Sequence, residues 1–292
     1  MDEPLGKSPA AYLIVNADDY GYYAGVSRGI LDGARDGLIR ATGVMANSEY
    51  FDEHAGWLGK TQGLDVGVHL NLTHGRPLSP DMCSALEKWD GNFPGKYQVV
   101  GEVIAGRLSV TCVQKEWQEQ ILRCIAAGLE PVFLNTHEHL HMYPSLFKLI
   151  RSLAEQYGIP FIRYSGPEWG RWAGAGGLLR NTMLSVMHLF NRKRVPLNTP
   201  TLLGMSDSGK LGFSYMQNCL SRLQPGMTYE LMCHPGYYDP DEVKDQRLLS
   251  YHHWEQELKL LRSESLKEMC RAAGVECVSY SDILGGRGYA DS

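Results

Sequence analysis

Several features that would fix a protein's class at once are missing from this sequence. It has seven cysteines, an odd number, and no two of them form a C-x-x-C pair. That usage predicts reduced, mostly buried thiols, not a disulfide framework, and favours a cytoplasmic setting. No apolar run approaches the roughly 20 residues needed to span a bilayer, so no membrane partner is expected. Residues 1–15 begin acidic and lack the basic start and long apolar stretch of a secretory signal. No basic stripe appears: 28 Lys and Arg stand against 33 Asp and Glu, a net charge of -5, so nucleic acid is not an expected partner. A Gly-rich phosphate loop is absent, as are internal repeats and low-complexity tracts.

What is present is an alternation. Short apolar runs rich in β-branched residues predict strands at Tyr12–Ala17, Ala41–Ala46, Asp65–Leu72, Pro131–Thr136, Phe161–Tyr164, Thr201–Met205, Tyr229–Cys233 and Glu276–Tyr280. Helical patterns lie between some of them, at Val113–Ala127, Ser145–Tyr157, Gly176–Arg194 and Trp254–Ala273. Residues 79–107 and 165–177, rich in Gly, Pro and Trp, read as long loops. Strands alternating with helices predict parallel βαβ units in an α/β fold, an irregular (β/α) barrel, with an open doubly wound sheet as the competing architecture. No composition shift marks a linker. The expectation is one domain over residues 1–292, with 1–10 and 286–292 as flexible ends.

Four polar clusters follow predicted strands, and in a barrel that end of the strands carries the active site. Asp18 and Asp19 are adjacent carboxylates, costly to hold together unless a cation relieves them; a solvated turn is the bland reading. In the run 67–73, period-two spacing puts His69, Asn71 and Thr73 on one face. His137, His139 and His141 form the densest polar cluster and in extended backbone would share a face. One of them could serve a metal while the others orient substrate. His234 ends the fourth run before Pro235-Gly236, well placed for proton transfer. Cys233 beside it lies in an apolar run and reads as a buried structural thiol. One carboxylate and two imidazoles suffice for a metal triad with open positions. A second carboxylate and a further histidine then remain as base and acid, the parts needed for metal-assisted hydrolysis of an amide or ester.

The motifs NADDYG, GVHLNLTHGRPL, THEHLHMYP and LMCHPGY, in this order, resemble those of the YdjC-like carbohydrate deacetylases, which include the chitooligosaccharide deacetylases. The resemblance spans roughly residues 12–284. It implies a deformed (β/α) barrel of the glycoside hydrolase/deacetylase type and removal of the acetyl group from a short N-acetylglucosamine-containing sugar. It further implies Asp18 as the base, Asp19, His69 and His137 as ligands of one divalent metal, and His234 as the acid. Magnesium or zinc leads as the metal, with manganese or cobalt also compatible. Asn71, His139, Arg163 and Tyr237 are expected to bind substrate, with Trp169, Trp172 and Tyr237 available for stacking on sugar rings. The partners expected are a small carbohydrate and, at most, a second copy in a homodimer. One departure stands out: Asn135-Thr136 occupy the place where bacterial members often have Asp-Ser. The competing readings are a phosphoesterase or other metal hydrolase on the same scaffold, and a non-catalytic carbohydrate-binding protein.

Overall fold

The computed structural model describes residues 11–168, 174–196 and 199–286. Eight strands form one parallel sheet: β1 (Ala11–Tyr20), β2 (Ala41–Val44), β3 (Asp65–Leu70), β4 (Phe133–Thr136), β5 (Phe161–Ile162), β6 (Thr201–Leu203), β7 (Thr228–Cys233) and β8 (Val275–Cys277). Their order is β5-β4-β3-β2-β1-β7-β6, with β8 paired to the start of β1. The sheet curls but does not close. Its edges are β5 and β6, so the expected irregular barrel is a half-barrel among the described residues.

β1 is the central strand, and its sequence explains why. Residues 13–20 are all buried, and the unbroken apolar run Leu13–Val15 suits a strand covered on both faces. It pairs with β7 from Tyr12 to Ala17 and with β2 from Asn16 onward. The register with β2 shifts between Ala17 and Tyr20. Asp19 sits in this bulge with φ 69, a left-handed conformation that Asp tolerates better than most residues. A regular strand would turn Asp18 and Asp19 to opposite faces. The bulge instead lets both reach the carboxyl end of the sheet.

Helices cover the outer face. Ser109 caps Val110–Ala126 by accepting from the Cys112 amide. Three predicted regions differ from expectation. The helix expected over Trp254–Ala273 is two helices, Trp254–Arg262 and Glu264–Ala272. Ser263 has extended backbone between them and caps the second by accepting from the Leu266 amide. The stretch 79–107 is not one long loop: it holds helices Pro80–Ala85 and Lys96–Ile104. Its start is fastened by the buried Glu116 carboxylate, which accepts from the Leu78 and Ser79 amides. Of 165–177, the part from Gly174 onward belongs to helix Gly174–Asn191. Trp169 and Trp172 lie outside the described residues. No helix of the described residues is long and apolar enough to cross a membrane.

Candidate metal and catalytic site

The carboxyl ends of β1, β3 and β4 bring Asp19, His69 and His137 together. His137 Nδ1 lies 2.9 Å and His69 Nε2 3.2 Å from Asp19 Oδ1, and the two imidazole nitrogens are 3.3 Å apart. One ligand atom from each lies within 4.8 Å of the other two. Burial alone would raise the Asp19 carboxyl. The neighbouring His137 and His69 imidazoles outweigh it and hold Asp19 well below its ordinary range.

Beneath this group runs a buried polar chain. Asn135 Oδ1 accepts from His69 Nδ1 at 2.7 Å, and Asn135 Nδ2 donates to Asp18 Oδ1 at 3.1 Å. Because Asn135 spends its amide on Asp18, its oxygen must face His69. That fixes a proton on His69 Nδ1 and leaves Nε2 as the nitrogen facing Asp19 and His137, the one that would offer its lone pair to a metal held there. Gly43 on β2 makes room: a Cβ there would meet His69 Cβ at 3.1 Å and Asn135 Oδ1 at 3.3 Å. Arg163 forms a two-pronged pair with Asp18, Nη2 donating to Oδ1 at 2.8 Å and Nη1 to Oδ2. It also donates from Nε to Glu230 Oε1 at 2.7 Å, and Asn16 donates to the same oxygen. Burial works to raise the Asp18 carboxyl, but the Arg163 guanidinium prevails and lowers it.

The donor set fits a divalent cation. Asp18, Asp19 and Glu230 are buried carboxylates, and Arg163, which pairs with Asp18 and Glu230, is the one fully buried guanidinium among the described residues. Ionised, they leave an excess of two negative charges next to two imidazoles with a lone pair to share.

The triad opens into a cavity of about 490 Å³, a size usual for small-ligand sites. His234, at the end of β7, lines it together with Asp18 and His252. The His234 amide donates to the buried Glu257 at 2.6 Å, which holds the turn after β7 in place. His234 Nδ1 is buried without a partner, leaving Nε2 as the ring nitrogen with access to the cavity. A second hollow of about 420 Å³ shares the Tyr22 and His74 wall with the first.

Among the sequence-predicted residues, Asp18, Asp19, His69, His137, His139 and His234 line the cavity. The three histidines of 137–141 do not share a face, because Glu138 and His139 take left-handed backbone within a 3-10 turn. His137 faces Asp19, His139 Nδ1 pairs with Ser165 Oγ at 2.8 Å, and His141 Nδ1 pairs with Thr136 Oγ1 at 2.7 Å. Three expected substrate contacts are placed elsewhere. Asn71 is fully buried, with its amide spent on Asn47 and the His74 carbonyl and its oxygen on the Thr73 amide. Arg163 is 1% exposed and committed to Asp18 and Glu230, so it has no free donor for a sugar hydroxyl. The Tyr237 hydroxyl donates to Asp32 at 2.7 Å on the outer helix Ala24–Asp36. Cys233 is buried, with Sγ against the Asn16 carbonyl, and burial pushes its thiol up.

The sequence reading missed Gly43, Glu230, Glu257 and His252. Glu230 left a signal, an acid inside an apolar strand. Glu257 left none, since it sits among exposed charges in its helix.

A parallel half-barrel with a carboxylate and two imidazoles converging at its carboxyl end defines an α/β protein built around a candidate metal centre. Comparison places it further: the chain belongs to the YdjC-like protein family, whose model matches residues 12–272. It is 29% identical over 275 residues to a carbohydrate deacetylase of Geobacillus stearothermophilus, covering 93% of this chain and 98% of that protein. It is 30% identical over 288 residues to a chitooligosaccharide deacetylase of Yersinia enterocolitica, covering 92% of this chain and 98% of that one. The crystal structure of an Enterococcus faecalis V583 protein, provisionally described as acting in cellobiose-phosphate cleavage, shares the fold with a TM-score of 0.71. Its sequence identity is 22%, with 94% of this chain and 99% of that one covered.

Proposed function

We propose that this chain hydrolyses the acetamide of an N-acetylated amino sugar, of the kind found in N-acetylglucosamine oligosaccharides. One observation carries the reading: Asp18 stands beside the Asp19–His69–His137 group in one cavity, and His234 lines the same cavity. The names of the relatives support the substrate class. The second hollow beyond Tyr22 and His74 suits a substrate longer than one sugar unit.

Asp19, His69 and His137 would hold a divalent metal, magnesium or zinc foremost. When bound, it supplies Lewis-acid polarisation of the acetyl carbonyl and a more acidic water. The chain's own groups do the proton work. Asp18 accepts three hydrogen bonds, two from Arg163 and one from Asn135. A carboxylate has about four acceptor sites, so one remains on Oδ2 to take the proton of the attacking water. Arg163 keeps Asp18 ionised and pointed at the cavity. His234 Nε2 gives a proton to the departing sugar nitrogen, without which the amine is a poor leaving group. The free cysteines fit a reducing, cytoplasmic setting for this reaction.

The test is acetate release from N,N′-diacetylchitobiose with and without a chelator, each candidate metal being restored in turn. Chelator-sensitive acetate, lost in His69→Ala and His137→Ala together with metal binding, is the expected result. No acetate with any of the four metals, on this or a longer oligosaccharide, would sink the reading.

A further inference from the structure

Asp19 is the one member of the triad on unusual backbone. Its φ of 69 is uncommon for a residue with a side chain, and such a conformation persists only where the surroundings impose it. Were the bulge to relax to a regular strand, Asp18 and Asp19 would face opposite ways. The two residues that follow, Tyr20 and Gly21, carry tethers that prevent this. The Tyr20 hydroxyl donates to the His54 carbonyl at 2.8 Å. The Gly21 amide donates to Ser27 Oγ at 2.9 Å, and the Ser48 hydroxyl donates to the Gly21 carbonyl.

Two of these tethers lead to one place. Ser27, on helix Ala24–Asp36, and His54, on helix Phe51–Leu58, are 0% and 1% exposed, and Ser27 Oγ lies 3.0 Å from His54 Nδ1. The Ser27 hydroxyl donates to the Tyr23 carbonyl at 3.1 Å. Its one hydrogen is then used, so the proton between Ser27 and His54 sits on Nδ1. The reverse assignment would put an N–H on His54 Nε2, which is buried without a partner, and a buried donor without an acceptor is the rarer defect. Ser27 Oγ thus accepts from Gly21 and His54 and donates to Tyr23, which leaves it one rotamer. The His54 ring is pinned in turn by stacking, its centroid 4.3 Å from that of Trp57 and 5.5 Å from that of Tyr50. Neither Ser27 nor His54 lines the cavity.

We propose that Ser27 and His54 are positioning residues for Asp19. From outside the cavity they clamp the two residues after it, through the Gly21 amide and the Tyr20 hydroxyl, and so hold its carboxylate where His69 and His137 converge. This rests on the metal centre of the deacetylase reading and adds to it the groups that keep the centre in shape.

The experiment is calorimetric titration with zinc and with magnesium, made on folded protein beside a urea midpoint for each variant. Ser27→Ala removes the acceptor of the Gly21 amide and should weaken metal binding about tenfold, the lower end for groups that orient a ligand. His54→Phe keeps a stacked ring but no donor and should cost about threefold, the lower end for one hydrogen bond. His54→Asn, which restores a donor near the Nδ1 position, should bind within twofold of the unaltered protein. Ala55→Gly loosens the same helix without touching either tether; it should lower the urea midpoint and leave metal affinity alone. Affinity within twofold of the unaltered protein in Ser27→Ala or His54→Phe overturns the proposal. An equal loss in Ala55→Gly overturns it too, since stability alone would then be the cause. So does an equal loss in His54→Asn and His54→Phe, which would make the ring's packing the cause. Acetate release from N,N′-diacetylchitobiose, measured alongside, keeps the two readings apart. Metal bound by the unaltered protein with no acetate sinks the deacetylase reading and leaves the affinities to judge Ser27 and His54, whereas no metal bound overturns their role as well.

Discussion

The floor of the cavity and its rim are built on opposite terms. On the floor, Asp18, His69, Asn135 and Arg163 are buried and bonded to one another, so each side chain has one available geometry. On the rim, Arg180 has buried donors without acceptors, and His252 has Nδ1 buried without a partner. Side chains tied to one another in this way are rigid and need little further organisation when substrate arrives. An unsaturated rim gains most from a ligand that completes it. The difference teaches a division of labour: the floor is held in one geometry, and the rim keeps buried polar atoms that other groups have not completed.

The sharpest way to break this comparison is Asp18→Asn. The amide keeps the shape but cannot take a proton. Acetate release should fall by roughly 10²–10⁴-fold, the usual worth of a positioned base, while calorimetry still detects metal binding. Activity within tenfold of the unaltered enzyme would remove Asp18 from the base role and with it the reason for the floor's rigidity.

The next effect is on stability. Arg163→Met leaves Asp18 and Glu230 buried without their cation. Breaking a buried pair in this way costs about 3–5 kcal/mol, read as a lower urea midpoint. A loss below about 1 kcal/mol would mean that water reaches these carboxylates and that the floor is less closed than its geometry says.

Acid should act on the buried histidines. Burial lowers His141 and His252 to about 3, so both are neutral in the folded protein at neutral pH. His141 Nε2 and His252 Nδ1 are buried without partners, and a proton placed there would have no acceptor. Unfolded, each takes up a proton near 6.5. The unfolded state therefore binds more protons between about pH 6.5 and pH 3, and stability falls as pH drops through that window. With both groups contributing fully, the slope approaches about 2.7 kcal/mol per pH unit. Urea titrations at pH 7, 6, 5 and 4 measure it; a midpoint unchanged down to pH 4 would contradict the neutral assignment.

How much of this was legible in the sequence follows the same division. The parallel α/β order and all eight strands could be read, because apolar runs between helical patterns are a local signal. So could the grouping of Asp18, Asp19, His69, His137 and His234 at one cavity, because each stands at the carboxyl end of a predicted strand. The roles of Asn71 and Arg163 could not be read, because they depend on partners far away in the chain. The bond between Arg163 and Asp18 joins β5 to β1, and nothing local to either announces it. The left-handed turn at Glu138 and His139 was likewise hidden, since it undoes the period-two spacing that made three histidines look equivalent.

Asn135 tests the floor more finely. Asn135→Ala removes the acceptor that fixes the His69 tautomer and one donor to Asp18, with the triad itself intact. The expected loss is about 10–100-fold in metal affinity, as for other residues that orient a ligand imidazole. Unchanged affinity with reduced turnover would shift its importance from His69 to Asp18.

The smallest effect is expected at Tyr237. Read from sequence, it is an aromatic after the β7 turn, suited to stacking on a sugar ring. In the structure its hydroxyl is tied to Asp32, and Arg262 lies beside that hydroxyl at 3.5 Å. Tyr237→Phe should therefore leave KM for N,N′-diacetylchitobiose unchanged and lower stability by about 1 kcal/mol, the ordinary worth of one hydrogen bond. Tyr237→Ala separates packing from binding: a loss of stability with KM intact confirms an outer, structural role. A rise in KM in the alanine variant but not in the phenylalanine variant would mean that the ring, not the hydroxyl, reaches substrate, and the rim would then have to be extended past His234 to the turn that follows it.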